Sequence, residues 1–437
     1  MKKFLIATIL FFSTTLTIQA QNIFELISTS QNFFETLEKG NYEEAQGFFD
    51  LTAKEKITPE SLNSLWSQLK TAYGEYKSVD LVKSSNEGDL FRVIVEVSFS
   101  NSSQNILMVY NKSQKLVGIF LAPKTETIEY KLPTYADTTK FSEKEVFIET
   151  KQYKLVGKFT YPKNAQNFPV VVLVHGSGPS DMDQTVGPNK SFKDISAGLA
   201  TQGVATIRYV KRSMIYDLNG AITVKEETIE DALTALALAK KMQGVNPKKV
   251  YLYGHSLGGM LAPRIASSVP DLAGLIIAAG PARTLTDVIL DQNKYFLNLS
   301  KDTTVNSNER FDEIVKFLEP SKIKTLGNIK PDSLLVGLPA SYWVDLNSMN
   351  QINLLKGMPK PRVFVAQGGM DFQVSETDFN LWQKTITGRK NATAKLYPDL
   401  DHFFMPQKEK GTPQQYQVPG NVSEQYIKDL ANWILEK

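Results

Sequence analysis

Two rhythms of apolar and polar positions divide this chain. From Ile23 the apolar residues recur at helical spacing (Ile23, Phe24, Ile27, then Phe33, Phe34, Leu37), and Gly40-Asn41 breaks the run. A second short helix is expected over 42–49. Thr58-Pro59-Glu60 opens a third, with Leu62, Leu65, Trp66 and Leu69 as its apolar stripe. The period then falls to two. Phe91, Val93, Val95, Val97 and Phe99 alternate with polar or smaller residues, which predicts a half-buried strand. Further strands are expected at 106–110 and 116–121, after turns at Asn101-Ser-Ser and Asn111-Lys-Ser. Helices first and an antiparallel meander afterwards predict a small α+β unit over 21–121.

Beyond residue 122 the pattern is different. Paired strands are expected at 145–148 and 153–161. Val170 to Val174 is an unbroken apolar run, as a strand buried on both faces should be. Helical and strand patterns then alternate: helices over 192–201, 226–241 and 260–267, strands over 203–209, 249–253, 272–278, 362–367 and 393–397, and a closing helix over 422–435. This alternation predicts an α/β unit over 122–437, with a mainly parallel sheet covered by helices on both faces. Between 279 and 360 the strand rhythm is lost. Helical fragments are expected at 291–299, 307–318 and 332–338, an insertion of about 281–358 over the carboxyl ends of the strands. Tyr342 and Trp343 suggest a cap that covers a pocket.

Composition changes the picture at the amino end. Lys2 and Lys3 precede an apolar stretch from Phe4 to Ile18, and Ile18-Gln19-Ala20 supplies a small residue for cleavage. Residues 1–20 therefore read as a bacterial signal peptide, with the mature chain periplasmic or secreted and no stable membrane insertion after cleavage. With 42% hydrophobic and 22% charged residues, the rest has the profile of a soluble globular protein. The formal charge of +3, with no basic patch or arm, argues against a nucleic-acid partner. The absence of cysteine excludes disulfides, thiolate metal sites, a catalytic thiol and a lipid-modified terminal cysteine.

The chemistry centres on Gly254-His255-Ser256-Leu257-Gly258, a G-x-S-x-G between an apolar strand and a helical run. That context makes a tight elbow, which lifts a serine clear of a sheet. Ser256 is the candidate nucleophile, and it needs a base and an acid to orient that base. The chain has three histidines. His255 lies inside the turn with its side chain directed away from that of Ser256. His175 follows the strand 170–174 and begins His-Gly-Ser-Gly-Pro, the position of an oxyanion loop. His402, in the loop between the last strand and the closing helix, remains as the base. Asp371 follows the strand 362–367 and a Gly-Gly turn, giving the chain order Ser, Asp, His; Asp399 and Asp401 compete only by adjacency to His402. The backbone N–H groups of Leu257 and Ser177 are the candidate oxyanion donors. Asp181 and Asp183 have no histidine neighbour besides His175. They read as loop anchors rather than metal ligands, so neither metal nor cofactor is expected.

Gly-His-Ser-Leu-Gly-Gly, His-Gly-Ser-Gly-Pro, Gly-Gly-Met-Asp and Asp-His-Phe-Phe occur in that order, and together they resemble the α/β-hydrolase superfamily. Within it the chain is similar to secreted bacterial carboxylesterases that carry an extra N-terminal domain of unknown function. The resemblance implies an α/β-hydrolase fold with a helical cap, preceded by a cone-like domain of the nuclear-transport-factor-2 shape. It further implies a Ser256, Asp371, His402 triad acting on a small-molecule ester through an acyl-enzyme. Peptidase or thioesterase chemistry on the same triad is the alternative, and a non-enzymatic binding protein the more distant one. The N-terminal domain would shield the site, orient it or present substrate, or be a passive accessory. Activity should rise with pH as His402 loses its proton. The chain departs from relatives that show Arg-x-Asp-x-Arg-Gly after the strand ending near Arg208: here the turn is Arg208-Tyr-Val-Lys-Arg212-Ser. That loop is expected at the rim of the site.

Overall fold

A computed structural model describes residue 26 and residues 29–436, apart from 88–89, 112, 123–129, 217, 219 and 300–306. The expected signal peptide lies outside the described residues. The chain packs as two compact units, one holding the described residues up to 122 and the other those from 130 onward.

In the first unit, helices over 29–38, Tyr42–Gln46, Leu51–Lys54 and Pro59–Tyr73 accompany a four-stranded antiparallel meander. Its strands are β1 (Tyr76–Glu87), β2 (Leu90–Phe99), β3 (Ser103–Tyr110) and β4 (Leu116–Ala122). Thr58 caps the long helix by accepting from the Ser61 N–H, and Pro59 at its first turn carries no N–H to satisfy. Val93, Val95, Val97 and Phe99 pack with Phe33, Phe34, Leu37 and Trp66 into one core. Strand β1 was not foreseen, because Lys-Ser-Val-Asp-Leu-Val-Lys-Ser-Ser has little apolar alternation. It pairs with β2 at the sheet edge.

The second unit is built on an eight-stranded sheet. Its strands are β5 (Phe141–Glu149), β6 (Lys154–Pro162), β7 (Phe168–Val174), β8 (Ala205–Tyr209), β9 (Val245–His255), β10 (Gly274–Ala278), β11 (Arg362–Gly368) and β12 (Ala392–Tyr397). Their spatial order is β12, β11, β10, β9, β7, β8, β6, β5. Strand β6 is antiparallel to both neighbours, and every other pairing is parallel. The unbroken apolar character of β7 follows from two-sided burial. Val170, Val172 and Val174 join a core formed with the helices Glu230–Ala239, Leu257–Ser267 and Glu376–Ile386. Val171 and Leu173 join the opposite core, with the helices Ser191–Thr201 and Glu424–Leu435. Each fully buried side chain of this kind contributes about 1.5–3 kcal/mol.

Between β10 and β11 lies the insertion, with helices Leu285–Leu299, Ser307–Leu318, Ala340–Asn347 and Gln351–Lys356. The stretch 332–338, expected as helical, instead forms a small hairpin pairing Leu334–Leu335 with Leu338–Pro339. Val336 and Gly337 take φ values of 48° and 80°, which no helix tolerates, and helix begins only after Pro339. The crossover helix Glu376–Ile386 was also not anticipated. It buries Asp378, Phe379, Trp382 and Ile386 and exposes most of its other residues.

Candidate active site

Strand β9 runs directly into Ser256, whose φ of 54° and ψ of −119° put a non-glycine residue in strained backbone. The turn is held by the Ser256 N–H on the Ala278 carbonyl and by the Met260 N–H on the Ser256 carbonyl, each at 3.0 Å. It also requires its glycines. A Cβ on Gly258 would lie 2.5 Å from the Val174 oxygen, and one on Gly254 would lie 2.2 Å from the Gly258 oxygen. The helix Leu257–Ser267 begins at the next residue, so the leading N–H groups, including that of Leu257, have no partner within it and carry its positive end. Gly176, at the end of β7, stands beside this elbow: a Cβ there would be 3.0 Å from Ser256 Cβ and 3.5 Å from its Oγ. Ser177 follows it at the surface.

Asp371 follows β11 and His402 follows β12, and the structure brings their side chains together in the interior. His402 Nδ1 donates to Asp371 Oδ2 at 2.7 Å, with the two residues 2% and 1% exposed. Asp371 Oδ1 accepts from the backbone N–H groups of Gln373 (2.7 Å) and Val374 (2.9 Å), and Oδ2 also accepts from Gln367 Nε2 at 2.9 Å. A carboxylate with four donors is fully satisfied as an anion, and its position is fixed. Donation from Nδ1 leaves the His402 Nε2 lone pair free. No hydrogen bond joins Nε2 to Ser256 Oγ among the described residues; such contacts commonly tighten only when substrate is bound.

The other two histidines are committed elsewhere. His175 Nε2 donates to the Asp181 carbonyl at 2.9 Å, and its ring packs against Phe192 and Tyr209. Burial, reinforced by the cation of Lys211, pushes its pKa down to about 3. His255 Nε2 donates to the His402 carbonyl at 2.8 Å, and its Nδ1 accepts from Gln184 Nε2 at 2.8 Å. Burial, and secondarily His402, hold its pKa well below the ordinary imidazole value. Neither ring takes up a proton near neutrality. His255 does turn away from Ser256 as its place in the motif suggested, but it is not idle: it ties the elbow to the backbone of the His402 loop.

The competing acids have other tasks. Asp401 Oδ1 accepts from the N–H groups of Phe403 and Met405, and Oδ2 from Gln407 and Gln415, which braces the loop. Burial raises its pKa. Asp399 is exposed. Asp181 accepts from the N–H groups of Asp183 and Thr185 and from the Thr185 hydroxyl, while Asp183 pairs with Arg208 and Lys190. Both anchor the loop after Gly178.

One sequence expectation needs correction and another is sharpened. The Arg208–Arg212 turn does reach the loop beside Ser256, through Lys211 Nζ on the Gly176 carbonyl at 2.9 Å, but it is buried. Arg208 is buried against Asp183, Glu143 and Thr160, and Arg212 against Asp231. Burial of guanidinium groups needs such partners. The expectation for Tyr342 and Trp343 is the one corrected: they do not line a pocket. They are 4% and 0% exposed, with the Tyr342 hydroxyl on Glu227 at 2.8 Å and Trp343 Nε1 on the Leu335 carbonyl. The insertion approaches the site through its first helix instead. Gln292 Nε2 reaches the Gln373 carbonyl, the Tyr295 hydroxyl reaches the Lys410 carbonyl, and Tyr295 and Phe296 pack on Phe372, beside Asp371.

Sequence reasoning missed Gln367, Gln184 and Lys211. Gln367 is polar in an otherwise apolar buried strand, a signal that could have been followed. The other two reach the site only through tertiary contacts.

A mainly parallel sheet, a strained serine between β9 and its helix, and an acid and a histidine after β11 and β12 define an α/β hydrolase. The chain belongs to that family: the alpha/beta hydrolase family matches residues 171–410. Residues 30–119 match a family described as a protein of unknown function, DUF3887. Over 406 residues the chain is 35% identical to Esterase EstD of Thermotoga maritima, covering 92% of this chain and 94% of that protein. Among solved structures it resembles Est1E from Butyrivibrio proteoclasticus with bound ferulic acid (15% identity, 67% of this chain and 100% of that one, TM-score 0.43). It also resembles the Pyrococcus furiosus esterase PF2001 (16% identity, 71% and 98%, TM-score 0.42).

Proposed function

We propose that this protein is a serine carboxylesterase acting on small-molecule esters. The observation that carries the reading is a strained Ser256 and a buried Asp371–His402 pair at 2.7 Å, on an elbow and a loop that His255 ties together, in a chain whose 35%-identical relative is an esterase. Ser256 Oγ attacks the ester carbonyl carbon while His402 Nε2 takes its proton. Asp371 holds the tautomer and balances the imidazolium. The carbonyl oxygen, now an anion, is bound by the N–H groups of Leu257 and Ser177. Collapse expels the alcohol, which leaves with the proton from His402. Water repeats the sequence on the acyl-enzyme, releasing the acid and restoring Ser256. These steps need no cofactor or metal.

A p-nitrophenyl ester series of increasing acyl length, run beside aminoacyl-anilides and acyl thioesters, tests this. Turnover should favour the oxygen esters over the anilides by several orders of magnitude. Anilides turned over as fast as esters would make the enzyme a peptidase, and thioesters preferred throughout would make it a thioesterase. The same series tests the insertion as a cap. A wall formed by Tyr295, Phe296 and Phe372 should restrict the acyl lengths accepted.

We also propose that the chain is exported, on the strength of Lys2, Lys3 and the apolar stretch before Ala20. Among the described residues no helix is long and apolar enough to cross a membrane. Expressed with its leader in a bacterium, the mature protein should begin at Gln21. A cytoplasmic product that retains Met1 or Lys2 would contradict export.

A further inference from the structure

Lys211 is a buried cation that the proposed mechanism does not use. It is 2% exposed, yet it sits in the stretch where the related Arg-x-Asp-x-Arg-Gly turn departs from this chain. Among the described residues its Nζ makes an ion pair with Glu227 at 3.0 Å and a hydrogen bond to the Gly176 carbonyl at 2.9 Å. Its own N–H donates to the Ser180 carbonyl at 3.0 Å, so backbone and side chain hold the same loop at two places.

The Gly176 carbonyl matters because of the peptide it belongs to. In a trans peptide the C=O and the following N–H point in opposite directions across one rigid plane. Fixing the Gly176 oxygen on Lys211 therefore fixes the Ser177 N–H on the face turned away from Lys211. The same Gly176 lies against Ser256, where a Cβ would be 3.5 Å from the Oγ. A charged donor on the carbonyl also polarises the peptide, which makes its N–H a stronger donor.

Resting on the carboxylesterase reading, we infer that Lys211 is a positioning residue for the oxyanion site: it orients and polarises the Gly176–Ser177 peptide so that the Ser177 N–H can meet the developing anion. Glu227 supplies its counter-charge. Glu227 is held in turn by the Tyr342 hydroxyl at 2.8 Å, from the insertion, and it lies in a π-helical turn, Lys225–Ile229. Such single-turn bulges aim side chains that a regular helix would misplace. The insertion is thereby linked to the oxyanion loop through Tyr342, Glu227 and Lys211.

The test compares wild type, Lys211→Met, and Lys211→Met combined with Glu227→Gln, each checked for folding by thermal melting. The double variant leaves no unpaired buried charge. For folded variants kcat should fall about 10- to 100-fold, less than for outright removal of an oxyanion donor, with KM changed by no more than about twofold. Affinity for a trifluoromethyl ketone analogue, which binds as the tetrahedral oxyanion, should fall by the same factor. Affinity for the matching ether, which has no carbonyl, should not change. A folded variant with kcat within about threefold of wild type overturns the proposal. Equal losses for ketone and ether overturn it too, as does failure of both variants to fold, which would make Lys211 purely structural. Ser256→Ala is run alongside. If wild type shows no turnover that depends on Ser256, the esterase reading itself fails; if it does and Lys211→Met matches it, only the positioning role fails.

Discussion

Asp371→Asn is expected to lower kcat by about 10³–10⁴-fold while leaving KM nearly unchanged. An asparagine fits the space, and its oxygen can keep the backbone N–H groups of Gln373 and Val374, now 2.7 and 2.9 Å from Oδ1. Its amide nitrogen must then replace Oδ2, which today accepts from both Gln367 Nε2 and His402 Nδ1. Donor meets donor at two contacts. The ring of His402 answers by presenting its Nδ1 lone pair and carrying its proton on Nε2, and in that tautomer it cannot accept the Ser256 proton. The variant should fold, losing roughly 1–3 kcal/mol for the mismatched contact at Gln367 and the weakened bond to His402. Steady-state kinetics with a p-nitrophenyl ester checks this. A loss below about tenfold would remove Asp371 from the role of orienting acid.

Much of this arrangement was legible in the sequence, for identifiable reasons. Unbroken apolarity in Val170–Val174 marks a strand buried on two faces, and the structure places alternate residues in two different cores. The elbow was legible because Gly254 and Gly258 are sterically obligatory, so the backbone requirement is written as residue identity. His402 emerged by elimination among three histidines, and its contact with Asp371 is now on view. What stayed hidden was of another kind. Strand β1 is held by edge pairing rather than by its own pattern. The hairpin at 334–339 reflects positive φ at Val336 and Gly337, while Leu334, Leu335 and Leu338 imitate a helical stripe. Tyr342 and Trp343 looked like pocket residues because aromatic content alone does not say which way a ring turns. Lys211, Gln184 and Gln367 act through partners distant in sequence or across a turn, and no local period encodes such contacts.

Ser256→Ala carries the largest expected effect. The mutation removes one oxygen from a half-buried position at the start of a helix, so stability should hardly change. Ester turnover should nevertheless fall by about 10⁴–10⁶-fold, because oxyanion binding and His402 cannot act through an absent nucleophile. The residue at 256 also adopts a backbone that an alanine tolerates no better than a serine, so loss of activity without loss of fold isolates the hydroxyl. The most direct measurement of the whole account is covalent: the protein is treated with a fluorophosphonate and digested, and the modified peptide is sequenced by mass spectrometry. The account predicts a single phosphonyl group on Ser256, formed in step with the loss of esterase activity and absent from Ser256→Ala. A label on another residue, or full inactivation with Ser256 unmodified, would contradict it.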